Sequence, residues 1–437
     1  MSSLKLVNDK NPREIAVRIL TQRRTAGDFT ENLLEKELAK TKLSAPDRGL
    51  CQEIVYGCVR RQATLDWLIS RKTNGREQKV MLQNLLRLGL YQIFWLDKIP
   101  AHAAVHETVE LAKRLGFGPQ AGFVNAILRG YLREAESTKK LLGDLEISDP
   151  AIAFSHPQWL VEKWQKRFGD EKLRQLLDWN NSAPKNFARA NSLKLDAGKL
   201  IEKWRDENVE YDFIRRDWLP ENLIFELKSH PPLPLLPSFR DGGFYIQDPS
   251  TLLAPLELNP KSGETILDLC AAPGGKTVFI AQLMNNEGKI VANDISEDRL
   301  KLIRENCQRL GVNCVETISN ARLATGDQPF DKILIDAPCS NTGVMRRRVD
   351  LRWRISADEI LRLRQMQMDL LRSAALKLKS GGILVYSTCS LEPEENSELI
   401  HEFLGEHKNF KLESQRELLP FADAVDGAFV ARFAKLS

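Results

Sequence analysis

Apolar residues recur at intervals of three and four positions over most of the first third of the chain. A typical run consists of Leu82, Leu85, Leu86, Leu90 and Ile93. Since one face of an α-helix repeats about every 3.6 residues, this spacing predicts amphipathic helices. The stretches SAPDRG, KTNGRE and GFGPQ contain helix-breaking residues and supply turns. We therefore expect an all-helical domain from about Asn11 to Arg133.

The apolar pattern changes in the middle of the chain. A polar segment near residues 134–149 leads into more helical spacing, and the stretch NNSAPKN marks a boundary near Asn180. Between Asn186 and Pro237 the apolar runs are short and fit a strand, a helix and two further strands. We expect a small α+β unit here, closed by the proline-rich stretch HPPLPLLPSFRDGG.

From Tyr245 onward, strand-like and helix-like patterns alternate. The strand-like stretches are TILDLC, KIVANDI, CVETIS, DKILIDAPC and GILVYSTCS. Such alternation predicts βαβ units and a mostly parallel, Rossmann-like α/β sheet, with its ligand beyond the carboxyl ends of the strands. The expected domains are a helical domain over residues 1–140, a helical linker with the small α+β subdomain over 141–240, and the α/β domain over 241–437.

Composition places the chain among globular proteins. Apolar residues make up 43% and charged residues 28% of the 437 positions, and no apolar run is long enough to span a bilayer. Without a leader-like N-terminus we expect a cytoplasmic monomer with no membrane partner. The seven cysteines are odd in number and never spaced C-x-x-C, which argues against a disulfide framework and a zinc site.

Positive charge is concentrated at the start of the chain. Residues 1–140 contain 24 Lys and Arg against 15 Asp and Glu, a net charge of +9. The whole chain carries only +4, so the remainder is acidic. The basic first third is either a solvated helical surface or the footprint of a module that binds nucleic acid.

A glycine-containing loop follows the first strand of the α/β domain. The stretch LDLCAAPGGKT, Leu267–Thr277, fails as an ATP phosphate loop because Cys270 stands six positions before Lys276, and it lacks G-x-G-x-x-G. A nucleoside cofactor without a phosphate chain remains, of which S-adenosylmethionine is the obvious example. Asp294 ends the next strand and is placed to bind ribose hydroxyls, although it could also cap the following helix.

Two further strands end at cysteines in polar loops. IDAPCSNTG contains Asp336 and Cys339, and VYSTCSLEPEEN contains Cys389. Methylation of carbon 5 of cytosine needs a thiolate that adds to carbon 6 and an acid that faces ring N3. Asp336 and the two thiols meet these needs, and Lys276 could orient Asp336 or stabilise a thiolate. The other cysteines, namely Cys51, Cys58, Cys307 and Cys314, fit the alternative of inert buried thiols.

The segment after Cys339 is rich in arginine. GVMRRRVDLRWRIS holds five arginines and a tryptophan, a composition that favours RNA contact over a merely solvated loop. The predicted RNA-binding residues are Arg346, Arg347, Arg348 and Arg352. His102 and His106 lie four positions apart on a predicted helix, but no third ligand is evident, so no metal is expected.

Four motifs together are distinctive. DLCAAPGGKT, DAPCSNTGV, STCS and PEEN, in this order across residues 241–437, resemble those of RNA 5-methylcytosine methyltransferases of the NOL1/NOP2/Sun family. The N-terminal stretches DRGLCQEIVYGCVRRQATLDWLI and GFVNAILRGYLRE resemble the helical RNA-binding domain of the antitermination factor NusB. The resemblance covers nearly the whole chain and is weakest at about 140–240.

The resemblance implies a role for each motif. Cys389 would be the nucleophile, Cys339 would assist release of the methylated RNA, and Asp336 would lie beside cofactor and cytosine. Asp294 would bind the ribose, and Asn320 would lie near the adenine. The loop around S-adenosylmethionine would comprise Cys270, Ala271, Ala272, Pro273, Gly274, Gly275 and Lys276.

Three positions depart from the family pattern. Asn320 stands where an Asp is usual, which predicts weaker or re-tuned cofactor binding. Arg348 and Val349 replace a usual His-Pro pair, which puts the RNA contacts of that loop in doubt, and Ala428 replaces a common aromatic residue.

The resemblance implies a substrate as well as a reaction. The expected function is methylation of a cytosine at carbon 5 in 16S ribosomal RNA. The alternatives are the same chemistry on transfer RNA or 23S rRNA, and a non-catalytic RNA-binding assembly factor. Against the last of these stand Cys339, Cys389, Asp336 and Lys276, which an inactive site would not need together.

Overall fold

The computed structural model describes residues 11–23, 27–319 and 329–436. The predicted cofactor residue Asn320 lies outside these residues. The chain forms two compact units. The first comprises Met1–Ser182 together with Met345–Arg354, and the second comprises Ala183–Val344 together with Ile355–Ser437.

The first unit is built from helices, as the apolar spacing predicts. Several begin at a residue whose side chain accepts hydrogen bonds from free backbone N–H groups, such as Asn11 before α1 and Ser44 before α3. The helices are α1 Pro12–Gln22, α2 Thr30–Ala39, α3 Ala45–Arg60, α4 Gln62–Thr73, α5 Val80–Trp95, α6 Ala101–Arg114, α7 Ala121–Arg133, α8 Ala135–Ser148, α9 Pro150–Ala153, α10 Gln158–Phe168 and α11 Asp170–Asn181.

The core of this unit depends on close helix packing. A Cβ atom on Gly57 of α3 would lie 1.9 Å from the ring of Tyr91 on α5, and one on Gly89 would lie 2.7 Å from Leu128 on α7. Only glycine permits these approaches, because any larger side chain would displace the neighbouring helix. Cys51 and Cys58 of α3 are buried in the same core.

The helical unit continues past the boundary that we drew at residue 140. Thr64 on α4 donates to the carbonyl of Ile152 at 2.7 Å, and the backbone N–H of Ala63 donates to the Ser155 hydroxyl at 2.7 Å. These hydrogen bonds attach the α9 region to α4. The first segment of this compact unit therefore runs to Ser182, beyond the residues that the apolar pattern assigned to the helical domain.

The arginine-rich segment Met345–Arg354 also belongs to the first unit. Arg352 is 0% exposed. Its guanidinium donates to the carbonyl oxygens of Arg60 at 3.1 Å and Asn180 at 2.9 Å, and to the side-chain oxygen of Asn181 at 2.8 Å. The indole N–H of Trp353 donates to the Val59 carbonyl at 3.0 Å. Both terminal nitrogens of Arg352 thus donate to protein acceptors, while its buried Nε has no hydrogen-bond partner.

This placement corrects part of the predicted RNA-binding set. Arg352 has no exposed surface to offer an RNA phosphate, and burial holds its pKa well below the ordinary value. Arg346 is 2% exposed, with its guanidinium carbon 3.9 Å from the centre of the Trp179 ring. Arg348 is exposed and Arg347 half-buried. For these two, RNA contact stays a prediction.

The second unit begins with a small antiparallel sheet. Its strands are β1 Asn186–Ala190, β2 Glu210–Phe213, β3 Ile224–Ser229 and β4 Phe244–Ile246, in the order β2-β3-β1-β4, with helices α12 Ala197–Asp206 and α13 Pro237–Arg240. The buried Trp204 of α12 contacts the rings of Phe225 and Phe244 on the sheet. The predicted small α+β unit is confirmed.

The rest of the second unit is a seven-stranded sheet with helices on its faces. The strand order is β10-β11-β9-β8-β5-β6-β7, parallel from β5 to β9 and antiparallel at β11 and β10. The strands are β5 Thr265–Leu269, β6 Lys289–Asp294, β7 Val315–Ser319, β8 Phe330–Asp336, β9 Leu378–Thr388, β10 Phe410–Leu418 and β11 Ala428–Lys435. The helices are α14 Leu253–Leu258, α15 Gly275–Leu283, α16 Glu297–Leu310, α17 Ala357–Lys377, α18 Ser397–Glu406 and α19 Pro420–Asp423.

This topology confirms the predicted Rossmann-like architecture. Alternate residues of β5 enter two core clusters, with Ile266 in one and Leu267 in the other, so both faces of the sheet are covered. The strand order turns back at β5, which lies between β6 and β8. The carboxyl ends of these strands are the expected ligand site. Within the described residues, no helix is long and apolar enough to cross a membrane.

The contacts of Arg352 generate a stability prediction. Replacement of Arg352 by Ala would leave buried carbonyl groups without a donor, and the free energy of unfolding should fall by about 3 kcal/mol. The control is Arg362→Ala, which removes an exposed pair with Glu359 and should leave the stability at its wild-type value within experimental error. Thermal unfolding measures both. An unchanged stability of the Arg352 variant would contradict a structural role.

Candidate active site

The glycine loop connects β5 to α15 and is tightly curled. Cys270 and Gly274 have positive φ angles of 66° and 99°. A Cβ atom on Gly274 would lie 3.3 Å from the backbone of Ile303, and one on Gly275 would lie 3.0 Å from the Tyr245 ring. The two glycines are therefore required by backbone conformation and by close neighbours. The first N–H groups of an α-helix have no acceptor within the helix, and in α15 these groups follow the glycine loop directly.

Asp294, at the end of β6, braces the glycine loop. Its side chain is 2% exposed. One carboxylate oxygen accepts a hydrogen bond from the Ala272 N–H at 3.0 Å, and the other accepts from the Ile295 N–H at 2.8 Å. The Arg299 Nε lies 3.3 Å away. The structure thus gives Asp294 a loop-holding role, while the ribose contact stays a prediction.

Asp268 is a site residue that sequence reasoning missed. It lies on β5, is 0% exposed, and accepts a hydrogen bond from the Thr277 hydroxyl at 2.6 Å. Its other carboxylate oxygen is buried without a protein partner. Burial, together with the nearby Asp336, raises the pKa of Asp268 to about 7. The signal in the sequence was a charged residue inside an otherwise apolar strand.

Lys276 and Asp336 form the ion pair that the sequence analysis suggested. The Lys276 Nζ lies 2.6 Å from one Asp336 oxygen, and the Ser387 hydroxyl donates to the other at 3.1 Å. Burial by itself lowers the pKa of Lys276, but the Asp336 carboxylate outweighs burial, and the pKa stands above the ordinary lysine value. Lys276 therefore stays protonated beside Asp336.

The two thiols at the strand ends meet. The Cys339 and Cys389 sulfur atoms are 3.3 Å apart. Cys389 also donates to the Asn341 side-chain oxygen at 3.2 Å, while the amide nitrogen of Asn341 donates to the Cys339 carbonyl at 2.6 Å. The hydrogen bond with Cys389, together with burial, raises the pKa of Cys339 well above the ordinary thiol value. The structure thus brings together two thiols that lie 50 residues apart in the chain.

The remaining cysteines lie elsewhere. Burial raises the pKa of Cys51, Cys270 and Cys307 to about 12, and it also raises the pKa of Cys58 and Cys314. A thiol with a raised pKa is a poor nucleophile near neutral pH. This fits the inert reading of the four cysteines outside the motifs.

The PEEN motif lies behind the thiols. Glu395 is 0% exposed and accepts hydrogen bonds from the Ser340 N–H at 2.9 Å and from the Ser340 and Ser390 hydroxyls. Asn396 donates to the Ser390 carbonyl at 2.8 Å and accepts from the Thr388 hydroxyl at 2.6 Å. Sequence reasoning recognised this motif but assigned it no role. Its closeness to Cys389 in the chain was the available signal.

No metal centre emerges from the titratable residues. Across the parts of the chain that the structure describes, no group of three or more His, Cys, Asp or Glu side chains could hold a metal ion. His106 is exposed beside Glu107 on α6.

Asp268 generates a pH prediction. Its pKa is about 7 in the folded protein against 3.8 as the ordinary value. Because the fold favours the protonated form, the stabilisation from this group is complete below pH 3.8 and is lost as pH rises through 7. Relative to Asp268→Asn, the wild type should lose up to about 4 kcal/mol of unfolding free energy across this range. Urea unfolding at a series of pH values measures the difference, and a pH-independent difference would contradict the raised pKa.

Family models match three parts of the chain. The model described as 16S rRNA methyltransferase RsmB/F matches residues 255–434, and the NusB family model matches residues 10–133. The RsmF/B-like methyltransferase ferredoxin-like domain matches residues 156–228. The predicted NusB-like domain and the predicted methyltransferase domain are confirmed.

Solved structures support the fold. The crystal structure of PH0851 covers 97% of this chain and 99% of its own, with a TM-score of 0.76 and 26% identity. The structure of NSun6 from Pyrococcus horikoshii with SFG covers 64% of this chain and 98% of its own, with a TM-score of 0.58 and 25% identity.

Curated relatives match the chain over nearly its full length. The probable ribosomal RNA small subunit methyltransferase B of Bacillus subtilis (strain 168) is 35% identical, covering 97% of this chain and 98% of its own. Ribosomal RNA small subunit methyltransferase B of Escherichia coli (strain SMS-3-5) is 36% identical, covering 98% and 99%. The chain therefore belongs to the ribosomal RNA small subunit methyltransferase B family.

Proposed function

We propose that the protein methylates carbon 5 of a cytosine in 16S rRNA, with S-adenosylmethionine as methyl donor and a covalent cysteine–C6 adduct as intermediate. Membership of the family already supports rRNA methylation. The observation that carries the specific chemistry is the pair of thiols 3.3 Å apart, one of them three residues after the Asp336 of the ion pair.

The glycine loop fits the proposed cofactor. It offers backbone donors at the start of α15, and the positive φ of Gly274 favours glycine there, features that suit a closely bound nucleoside. The related NSun6 structure was determined with SFG, an analogue of S-adenosylmethionine. The loop Cys270–Lys276, Asp294 and Asp336 would hold the cofactor, with Asn320 as a further expected contact. The cofactor supplies an electrophilic methyl group.

In the proposed reaction, residues of this chain carry out addition to the ring, protonation and release. Cys389, the more exposed thiol, adds to carbon 6 and makes carbon 5 nucleophilic. Asp336 faces ring N3, and a proton passed from the Lys276 ammonium through Asp336 to N3 balances the negative charge that addition creates. After transfer, a base removes the proton on carbon 5 and the bond to Cys389 breaks. Cys339, in contact with Cys389, assists this release.

The names of the relatives favour one substrate among the alternatives. Transfer RNA and 23S rRNA would use the same chemistry, but the curated relatives are named as small-subunit rRNA methyltransferases. Recognition of the RNA is proposed for the basic first third of the chain and for Arg347 and Arg348. A purely non-catalytic assembly factor would not need the thiols, Lys276 and Asp336 together.

A labelling experiment tests the proposed function. Purified protein is incubated with labelled S-adenosylmethionine and unmodified 16S rRNA, and the methylated position is then mapped. We expect label at carbon 5 of a single cytosine. Label only on transfer RNA or 23S rRNA would reject the substrate, and the absence of label on every RNA would favour the assembly factor.

The two thiols are predicted to fail in different ways. Cys389→Ala should abolish methyl transfer without forming an adduct, because it removes the nucleophile. Cys339→Ala should accumulate a covalent protein–RNA species, because release is impaired. Denaturing gel electrophoresis with labelled RNA distinguishes the two, with Cys314→Ala as a matched control that should behave as wild type. The opposite pattern would reverse the roles of Cys339 and Cys389.

A further inference from the structure

The two thiol loops share one hydrogen-bond acceptor. Ser340 follows Cys339, and Ser390 follows Cys389. The Ser340 N–H donates to one Glu395 oxygen at 2.9 Å, and the hydroxyls of Ser340 and Ser390 both donate to the other. The hydroxyls also contact each other at 2.9 Å. A single carboxylate thus couples the residues directly after both thiols.

A long helix supplies a further attachment. Gln367 of α17 is 0% exposed, and its amide nitrogen lies 2.9 Å from Glu395 Oε1 and 2.9 Å from the Pro338 carbonyl. Pro338 immediately precedes Cys339. The loop that carries Cys339 is therefore held on both sides of the thiol, by Gln367 before it and by Glu395 after it.

Burial of the Glu395 carboxylate is unfavourable in free energy, so its retention in the core calls for an explanation. A carboxylate without access to water is tolerated only when its oxygens are hydrogen-bonded. Burial raises the pKa of Glu395, although the bonds from Ser340, Ser390 and Gln367 oppose the rise. An apolar side chain would fill the same space at less cost, but it could not accept hydrogen bonds from two loops at once.

We propose that Glu395 is a positioning residue that holds the thiols of Cys339 and Cys389 in contact. It acts through Ser340 and Ser390, and it needs no contact with RNA or cofactor. The geometric part of this proposal stands independently of the reaction, whereas its consequence for turnover rests on the proposed function.

The proposed reaction explains why the separation of the thiols matters. Cys389 forms the bond to carbon 6 and Cys339 assists its rupture, so both sulfur atoms must reach the same adduct. A displacement of about 1 Å at a reacting group can cost about a hundredfold in rate. Backbone pairing contributes to the alignment, since the Gly343 N–H donates to the Cys389 carbonyl at 2.9 Å. Glu395 adds the link between the two Cys-Ser pairs.

Disulfide formation measures the separation of the thiols directly. Diamide accepts two electrons and two protons from a pair of thiols, giving a disulfide and a hydrazine, and the rate depends on how often the sulfur atoms meet. Glu395→Gln keeps the size of the side chain but replaces one acceptor oxygen by an NH2 group. We expect the Cys339–Cys389 disulfide, identified by peptide mass mapping, to form about tenfold more slowly in this variant.

The matched control is Glu398→Gln, an exposed residue three positions further along the chain, which should oxidise at the wild-type rate. Ser340→Ala is a milder variant that removes a hydroxyl and keeps the backbone N–H. It should slow disulfide formation less than Glu395→Gln, and it serves as the test if Glu395→Gln fails to fold. Wild-type oxidation rates in both variants would show that the backbone alone aligns the thiols and would overturn the proposal.

Turnover separates this proposal from the proposed function. In Glu395→Gln, kcat for methyl transfer should fall about tenfold or more, while KM for S-adenosylmethionine should be unchanged, because the glycine loop is intact. A loss of cofactor binding in parallel with kcat would indicate general structural damage and would count against positioning. If disulfide formation slows but the wild type methylates no cytosine, the positioning role stands and the proposed function fails.

Discussion

The Lys276 ammonium lies 2.6 Å from the Asp336 carboxylate, and this contact joins the ends of two neighbouring strands. Lys276 lies in the first turn of α15, directly after the glycine loop, and Asp336 ends β8. The Lys276 side chain is 14% exposed and that of Asp336 is 36% exposed, so their attraction is stronger than that of a fully solvated pair. It brings the glycine loop against the segment that carries Cys339. This contact thus links the cofactor end to the thiol end of the site, in addition to the backbone pairing of β5 with β8.

The same ion pair limits the charge of the site. Burial raises the pKa of Asp268, and the nearby carboxylates of Asp336 and Asp294 add to the rise, while Lys276 opposes it. One ammonium cannot neutralise three carboxylates. Asp294 is instead served by the Arg299 guanidinium and by two backbone N–H groups, and the raised pKa of Asp268 favours a proton on that residue. The three acidic residues thus differ in their hydrogen-bond partners and in the charges near them.

Apolar periodicity predicted the layers of the fold because burial repeats with the period of each element. It gave the helical first third, the small α+β unit and the parallel sheet, and the strand ends then located Asp336, Cys339 and Cys389. It could not give the contact between the thiols, since that depends on β8 and β9 being neighbours in the sheet. Asp268 was not predicted as a site residue. A charged residue inside an apolar strand does not reveal, from its neighbours in the sequence, whether its carboxylate belongs to a site.

Arginine content alone could not distinguish side chains available to RNA from side chains that bind the protein itself. A guanidinium group binds phosphate oxygens and backbone carbonyls with the same donors, so an arginine-rich stretch does not reveal its acceptors. In Arg352 the acceptors are carbonyls of the helical unit. These acceptors belong to residues far away in the sequence, such as Arg60 and Asn180, so the local sequence does not predict them.

The repeated Cys-Ser pair has a physical explanation of the same kind. A thiol alone at a strand end has no feature that fixes its direction, because cysteine is a weak hydrogen-bond partner. The serine after it can be fixed by a buried acceptor, and Glu395 accepts from both Ser340 and Ser390. The similarity of Pro-Cys-Ser and Thr-Cys-Ser therefore need not reflect similar roles for the two sulfur atoms. We attribute it to one carboxylate that accepts hydrogen bonds from both loops.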